Sequence, residues 1–248
     1  MNLVELLQSH SQPEVTATGL CEDSRNVRPG DIFVAASANH EARAVHVDQA
    51  IAAGAVAVLV PDQPTEGASV PVVAVSDLAV RRSELAARFY GHPSKDVCCL
   101  GITGTNGKTS IAFHLTDLSQ RLGVTSGYCG TLGWGELGHL RATQLTTPSA
   151  VALQEYLAAM RSDGVTRIAM EVSSHALDQG RVAAVHFEVA VFSNLTRDHL
   201  DYHKTVEAYK AAKAKLFQQW PLNTAVINSD DPVGRELLCT SRAREVIS

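Results

Sequence analysis

An excess of positive charge is what this chain most clearly lacks. Its 248 residues hold 21 Lys and Arg against 26 Asp and Glu, a net charge of −5. The basic residues are scattered, so nothing here is built to follow a nucleic-acid backbone. Long apolar runs are missing too. No uncharged stretch approaches the roughly 20 residues that cross a bilayer. The opening MNLVELLQSH carries Glu5 and has neither the basic start nor the apolar centre of a secretory signal. A cytoplasmic protein with no membrane partner is the expectation. Cysteine is sparse: residues 21, 98, 99, 129 and 239 are odd in number and have no paired spacing. That argues against a disulfide framework and for reduced structural thiols. There is no internal repeat, no low-complexity segment and no signal for an oligomeric state.

What remains is a hydrophobic content of 45% with 19% charged residues, enough to build a packed core. The pattern predicts an α/β protein in two parts. In residues 1–90, strands are expected at 31–36, 55–60 and 70–75, with helices at 47–53 and 77–90. The turn-rich segment Gly91-His-Pro-Ser-Lys-Asp96 reads as a linker. From 91 to 248 strands and helices alternate: strand 97–103, helix 109–122, helix 149–162, strand 167–171, strand 187–193, helix 205–219, strand 224–228 and a short helix 233–238. Such alternation implies a mostly parallel sheet with helices on both faces. A nucleotide-binding sheet of this kind normally has more strands, so this second part is expected to be incomplete.

One loop carries most of the chemistry. Residues 101–110 read GITGTNGKTS between an apolar strand and a helix. Gly104 and Gly107 let the backbone turn and come close to phosphate oxygens. Thr105, Asn106, Gly107, Lys108, Thr109 and Ser110 bring N–H groups and a helix N-terminus to an anion. Lys108 can reach the outer phosphates and the Thr109 hydroxyl can ligate Mg²⁺. The strict phosphate-loop pattern wants Gly where this chain has Ile102, and Gly101 sits one place earlier.

Four further residues gain meaning beside that loop. Glu171 ends an apolar strand; alone it reads as a solvated strand end, but next to a phosphate loop it is placed for a metal. The segment Ser193-Asn-Leu-Thr-Arg-Asp-His-Leu-Asp-Tyr-His203 puts Asn194 at a strand's carboxyl end and His199 where a neutral imidazole can ligate metal. Asp198, Asp201 and His203 read as turn and capping groups. On the helix 205–219, Lys210, Lys213 and Lys215 first suggest a solvated face. Lys213, however, shares an apolar stripe with Tyr209 and Leu216. Desolvation there lowers an amine's pKa, and a neutral amine can take up CO₂ as a carbamate. Spacing alone ranks this below the solvated reading.

Together these segments resemble a family. GITGTNGKTS, TTP at 146–148, EVSSHALDQGRV at 171–182, NLTRDHLDYH at 194–203 and YKAAKAKLF at 209–217 are similar to the Mur ligases. More narrowly they resemble the UDP-N-acetylmuramoyl-tripeptide synthetases of peptidoglycan precursor synthesis. EDSRNVRPGDIFVA at 22–35 resembles that group's uridine-nucleotide-binding domain. The resemblance implies a small N-terminal domain for the uridine substrate (1–90) and a central ATP-binding domain (91–248). It implies that Lys108 and Thr109 hold ATP phosphates and Mg²⁺, with Asn194 on the nucleotide side. Glu171, His199 and a carbamylated Lys213 become metal ligands, which reverses the ranking from spacing. Thr146, Thr147, Ser173, Gln179 and Arg181 would contact the muramoyl peptide. Ser24, Arg25 and His40 would lie near the uridine diphosphate.

The implied reaction is ATP-dependent amide formation through an acyl phosphate, joining diaminopimelate or lysine to UDP-MurNAc-L-Ala-D-Glu. Two departures stand out. The stretch 37–43 lacks the Gly-rich character usual after the FVA strand. The family also continues past residue 248 into an amino-acid-selecting domain with an Asp-Asn-Pro-Arg-type motif. The chain alone is therefore expected to bind rather than turn over.

Overall fold

The structure is a computed structural model, and it describes residues 1–10, 12–37, 39–63 and 67–248. Ala38, within the Gly-poor stretch 37–43, lies outside these. The chain divides into two compact units. Met1–Gly91 with Ala150–Glu155 form the first, and His92–Ser149 with Tyr156–Ser248 form the second.

The first unit contains α1 (Leu3–Leu7), β1 (Gly19–Cys21), β2 (Asp31–Val34), α2 (His40–Ala52), β3 (Ala57–Val60), β4 (Val72–Ala74) and α3 (Leu78–Phe89). The four strands pair in parallel in the order β1-β2-β3-β4. Both faces of the sheet are covered, as parallel sheets require. Ile32, Val34 and Leu59 pack with Leu3, Leu6, Leu78 and Leu85. Phe33, Val58 and Val60 turn the other way onto Val47 and Ala50 of α2, which is the strand period of two expressed in packing. Helix α2 starts seven residues before the expected position 47. Asn39 caps it by accepting a hydrogen bond from the Ala42 N–H, a start signal that outweighs weak apolar periodicity. Strand β1 was not anticipated.

The second unit contains β5 (Cys98–Thr103), α4 (Lys108–Arg121), β6 (Ser126–Gly130), β7 (Gly133–Glu136), most of α5 (Ala150–Ser162), β8 (Arg167–Glu171), α6 (Ser174–Asp178), β9 (Phe187–Phe192), α7 (Leu200–His203), α8 (Val206–Gln219), β10 (Thr224–Ile227), α9 (Pro232–Thr240) and β11 (Glu245–Ile247). Its seven-stranded sheet runs β11-β10-β9-β5-β8-β6-β7, parallel except for the β6–β7 hairpin. The α/β class with a mostly parallel sheet is as expected. Strands β6, β7 and β11 and helix α6 were not. In β6, Ser-Gly-Tyr-Cys-Gly, two glycines in five residues hide a strand that is buried throughout.

Strand β5 is central, with β8 on one side and β9 on the other. Ile102 packs with Ala112 of α4, Tyr128 and Ala169 on one face. On the other, Phe192 meets Phe217 of α8 with ring centroids 6.3 Å apart. The carboxyl ends of β5, β8 and β9 therefore open onto one edge, where ligands of open α/β sheets bind.

Candidate functional site

The loop after β5 is held in shape before any ligand arrives. Gly104 and Gly107 have φ of +147° and +86°, conformations that exclude most side chains. A Cβ on Gly104 would also collide with the Ser193 hydroxyl. The segment after β9 clamps the loop. Thr105 N–H donates to the Asn194 carbonyl at 2.8 Å. Asn106 N–H donates to Asn194 Oδ1, and Asn194 Nδ2 donates back to the Asn106 carbonyl, both at 3.1 Å. Ser193 Oγ donates to the same carbonyl at 2.6 Å. Thr105 Oγ1 accepts from Thr196 N–H and pairs with the Tyr209 hydroxyl at 3.1 Å.

Two lysines converge on one carbonyl of this loop. Lys108 Nζ donates to the carbonyls of Gly104 and Thr105, each at 2.9 Å. Lys213 Nζ donates to the Gly104 carbonyl at 2.7 Å and lies 4.6 Å from the centre of the Tyr209 ring. Lys213 is 1% exposed. Burial, and secondarily the charge of Lys108, push its amine down to about 7. Burial lowers Lys108 as well, opposed by Glu171 and Asp198. The other two lysines of α8 are surface groups: Lys210 pairs with Glu236, and Lys215 pairs with Asp178 at 2.8 Å.

Glu171 is 1% exposed and fully engaged. Its Oε2 accepts from Thr109 Oγ1 at 2.9 Å and from Thr131 Oγ1 at 3.3 Å. Its Oε1 accepts from the Tyr128 hydroxyl and from Thr131 N–H at 2.8 Å. Gly130 leaves room for it, since a Cβ there would run into Oε1. This oxygen set suits Mg²⁺, which takes one or two protein oxygens and completes its shell with phosphate and water. Among the described residues no three His, Cys, Asp or Glu side chains form a ready-made metal cage. His199 lies among other rings. It has a left-handed φ of +52°, lies 3.5 Å from Asp198, and stacks edge-on to His175 and Tyr209.

The residues expected on the substrate side separate by unit. In the second, Thr147 Oγ1 donates to the Glu171 carbonyl at 2.8 Å and accepts from Ser173 N–H at 2.9 Å. Arg181 donates to the Thr147 carbonyl at 3.0 Å and clasps Gln179 Oε1 through Nε and Nη2. Thr146 Oγ1 lies 3.2 Å from Thr131 Oγ1. In the first unit, Ser24 Oγ donates to Gln49 Oε1 at 2.9 Å, and Arg25 forms an exposed pair with Asp23. His40 begins α2, nine residues before Gln49, so about 13 Å of helix separates it from the Ser24 contact.

The description "Mur ligase middle domain" matches residues 102–247, more than half of the chain. The chain belongs to the Mur ligase family. A UDP-N-acetylmuramoyl-L-alanyl-D-glutamate–2,6-diaminopimelate ligase of Xylella fastidiosa (strain 9a5c) is 48% identical over 241 residues, covering 96% of this chain and 49% of that protein. The solved structure of a ligase with the same name superposes with a TM-score of 0.82 at 32% identity, covering all of this chain and 51% of that one. A Thermotoga maritima MurF ligase solved with ADP shares the fold, at a TM-score of 0.66 and 19% identity, over 94% of this chain and 50% of that one. The chain thus spans about half the length of the curated Mur ligases it matches.

Several groups that hold this Mur ligase site together escaped sequence reasoning. Tyr128 and Thr131 support Glu171 from the glycine-masked β6 and its turn. Ser193 closes the loop. His203 is not a capping group: it is 7% exposed, and its Nε2 lies 3.0 Å from the Ser174 hydroxyl. Its ring packs against His175 and Tyr209, because the short helix α7 turns it inward. All five cysteines are free, and no described helix is long and apolar enough to cross a membrane.

Proposed function

We propose that this chain is the portion of an ATP-dependent amide ligase that holds ATP and UDP-MurNAc-L-Ala-D-Glu, acting in the cytoplasm on peptidoglycan precursors. The ligase joins diaminopimelate to that dipeptide. The observation that carries the reading is the convergence of Lys108, the Thr109–Glu171 pair and Lys213 on the loop 104–109. The 48% identity to a diaminopimelate ligase supports the choice of amino acid, and ADP in a MurF ligase of like fold supports ATP as the nucleotide.

The substrate carboxylate attacks the γ-phosphorus of ATP and ADP leaves. The amine of the amino acid then displaces phosphate from the acyl phosphate. The loop N–H groups and Lys108 stabilise charge on the phosphoryl group. Lys108 exchanges its two loop carbonyls for phosphate oxygens, a favourable trade of neutral for anionic acceptors. Thr109 and Glu171 would hold Mg²⁺, which would supply neutralisation of phosphate charge. Arg181, with its planar fork already aimed, and Thr147 and Ser173 orient the peptide carboxylate. Lys213 is the group that takes up CO₂, and His199, whose ring like the Lys213 amine lies against Tyr209, would be a ligand of the second metal. Ser24, Arg25 and His40 are the uridine-side contacts.

Calorimetry of the 248-residue chain with MgATP and with UDP-MurNAc-L-Ala-D-Glu, beside a turnover assay with diaminopimelate, tests this. Binding of both ligands is the expected result. Binding without turnover identifies a substrate-holding half that needs the rest of the ligase. A folded chain that binds neither ligand overturns the proposal.

A further inference from the structure

The hydroxyl of Thr103 is the odd group in this site. Thr103 is completely buried, and its Oγ1 has no hydrogen-bond partner. An unpaired buried hydroxyl is destabilising because it has given up its bonds to water, so a native site that retains one invites a missing partner.

The position of Thr103 says what that partner touches. Side chains alternate along β5. Ile102 faces α4, so Thr103 faces α8. Two neighbours agree. Thr103 sits in register with Phe192, whose ring meets Phe217 of α8. A Cβ on Gly101, on the same face, would strike Phe187, which packs on Trp220 at the end of α8. Lys213 lies one helical turn before Phe217 on α8. Its Nζ donates to the carbonyl of Gly104, the residue bonded to Thr103. The orphan hydroxyl and the buried amine thus both lie in the layer between β5 and α8, at adjacent residues of the strand's end.

We propose that Thr103 is a positioning residue that donates its hydroxyl hydrogen to a carbamate formed on Lys213. The proposal rests on the reading of Lys213 given above. In the step, the Nζ lone pair forms an N–C bond to CO₂, one C=O π pair moves onto oxygen, and one N–H proton leaves to solvent. The product, Lys–NH–COO⁻, keeps one N–H for the Gly104 carbonyl. Its two oxygens are acceptors in a space where Lys108 is the nearby cation and Thr103 Oγ1 the uncommitted donor.

The test is ¹³C NMR of the 248-residue chain in ¹³C-bicarbonate with Mg²⁺, with Lys213→Ala defining the background. Wild type shows a carbamate carbon that Lys213→Ala lacks. Thr103→Ser keeps it. Thr103→Val, nearly the same shape without the donor, binds CO₂ roughly tenfold more weakly, the worth of a hydrogen bond to a charged group. In CO₂-free buffer Thr103→Val melts no lower than wild type, because it removes only an unpaired hydroxyl; added bicarbonate raises the melting temperature of wild type more than that of the variant. Wild-type carbamate occupancy in Thr103→Val overturns the Thr103 assignment and leaves Lys213 standing. No Lys213-dependent signal in wild type overturns both.

Discussion

The candidate residues of the second unit are bonded to one another, while those of the first are bonded to their own surroundings. Around the loop 104–109, Lys108 and Lys213 share the Gly104 carbonyl, Asn194 bonds Thr105 and Asn106, and Glu171 gathers Thr109, Thr131 and Tyr128. In the first unit, Ser24 serves Gln49, Arg25 serves Asp23, and His40 stands at the far end of α2. The difference matches the chemistry proposed for each. Stabilising charge on a transferring phosphoryl group needs dipoles fixed beforehand, in a site shielded from water. A surface that grips a nucleotide can keep its charged groups solvated until the ligand comes. The same contrast recurs within α8, where Lys213 is buried and Lys210 and Lys215 are ordinary surface cations.

The sharpest way to break this comparison is inside α8. In a full-length ligase, Lys213→Ala lowers turnover on the order of 10³-fold, the scale of losing one preorganised electrostatic group. Lys210→Ala changes it less than about twofold, as expected of a surface ion pair. Equal losses in a phosphate-release assay sink the special role of Lys213.

Stability against pH comes next. In CO₂-free buffer, Lys213 is neutral in the folded chain above about 7 but stays protonated in the unfolded chain up to its ordinary 10.5. Between those values the unfolded state binds the extra proton, so stability rises with pH and is lost as pH falls toward 7. Lys213→Met lacks this slope. Urea melts are expected to show it more stable than wild type by roughly 2–3 kcal/mol near pH 8, with the gap closing toward pH 10.5. Parallel pH curves contradict the burial argument.

Gly104→Ala follows. With φ of +147° and the Ser193 hydroxyl in the way, it costs roughly 1–3 kcal/mol in chemical denaturation. ATP binding weakens with it, because the loop backbone must move; unchanged calorimetric affinity means the loop is not the phosphate cradle. Arg25→Ala is the smallest effect on the fold: its side chain is 77% exposed, so the melting temperature stays as in wild type. A weaker affinity for UDP-MurNAc-L-Ala-D-Glu, with ATP affinity unchanged, is the outcome that keeps Arg25 on the uridine side.

How legible the site was depended on how local each signal is. The loop 101–110 announces itself because its glycines, Lys108 and Thr109 act within one turn between a strand and a helix. Glu171 was visible as the last residue of an apolar strand. Lys213 was ambiguous, since Ala-spaced lysines look alike along α8 until it is known which face meets β5. Tyr128 and Thr131 were hidden because Gly127 and Gly130 depress the strand signal of β6. Those glycines are there for packing: a Cβ at Gly130 would displace Glu171. His203 was misread because a four-residue helix has no periodicity from which to judge its buried side.

The amino-acid sequence by itself determined the α/β class, the glycine-rich loop after β5, the carboxylate that ends β8 and the family. Those are properties of short windows, or of windows recurring in a set order along the chain. Only the tertiary structure decided which lysine of α8 is desolvated, that Lys108 and Lys213 meet on one carbonyl, that Asn194 clamps the loop, and that Thr103 is left without a partner. These depend on residues 60 to 110 positions apart meeting across β5, β8, β9 and α8. Burial, which loosens the hold of the Lys213 amine on its proton, exists only once those elements have packed.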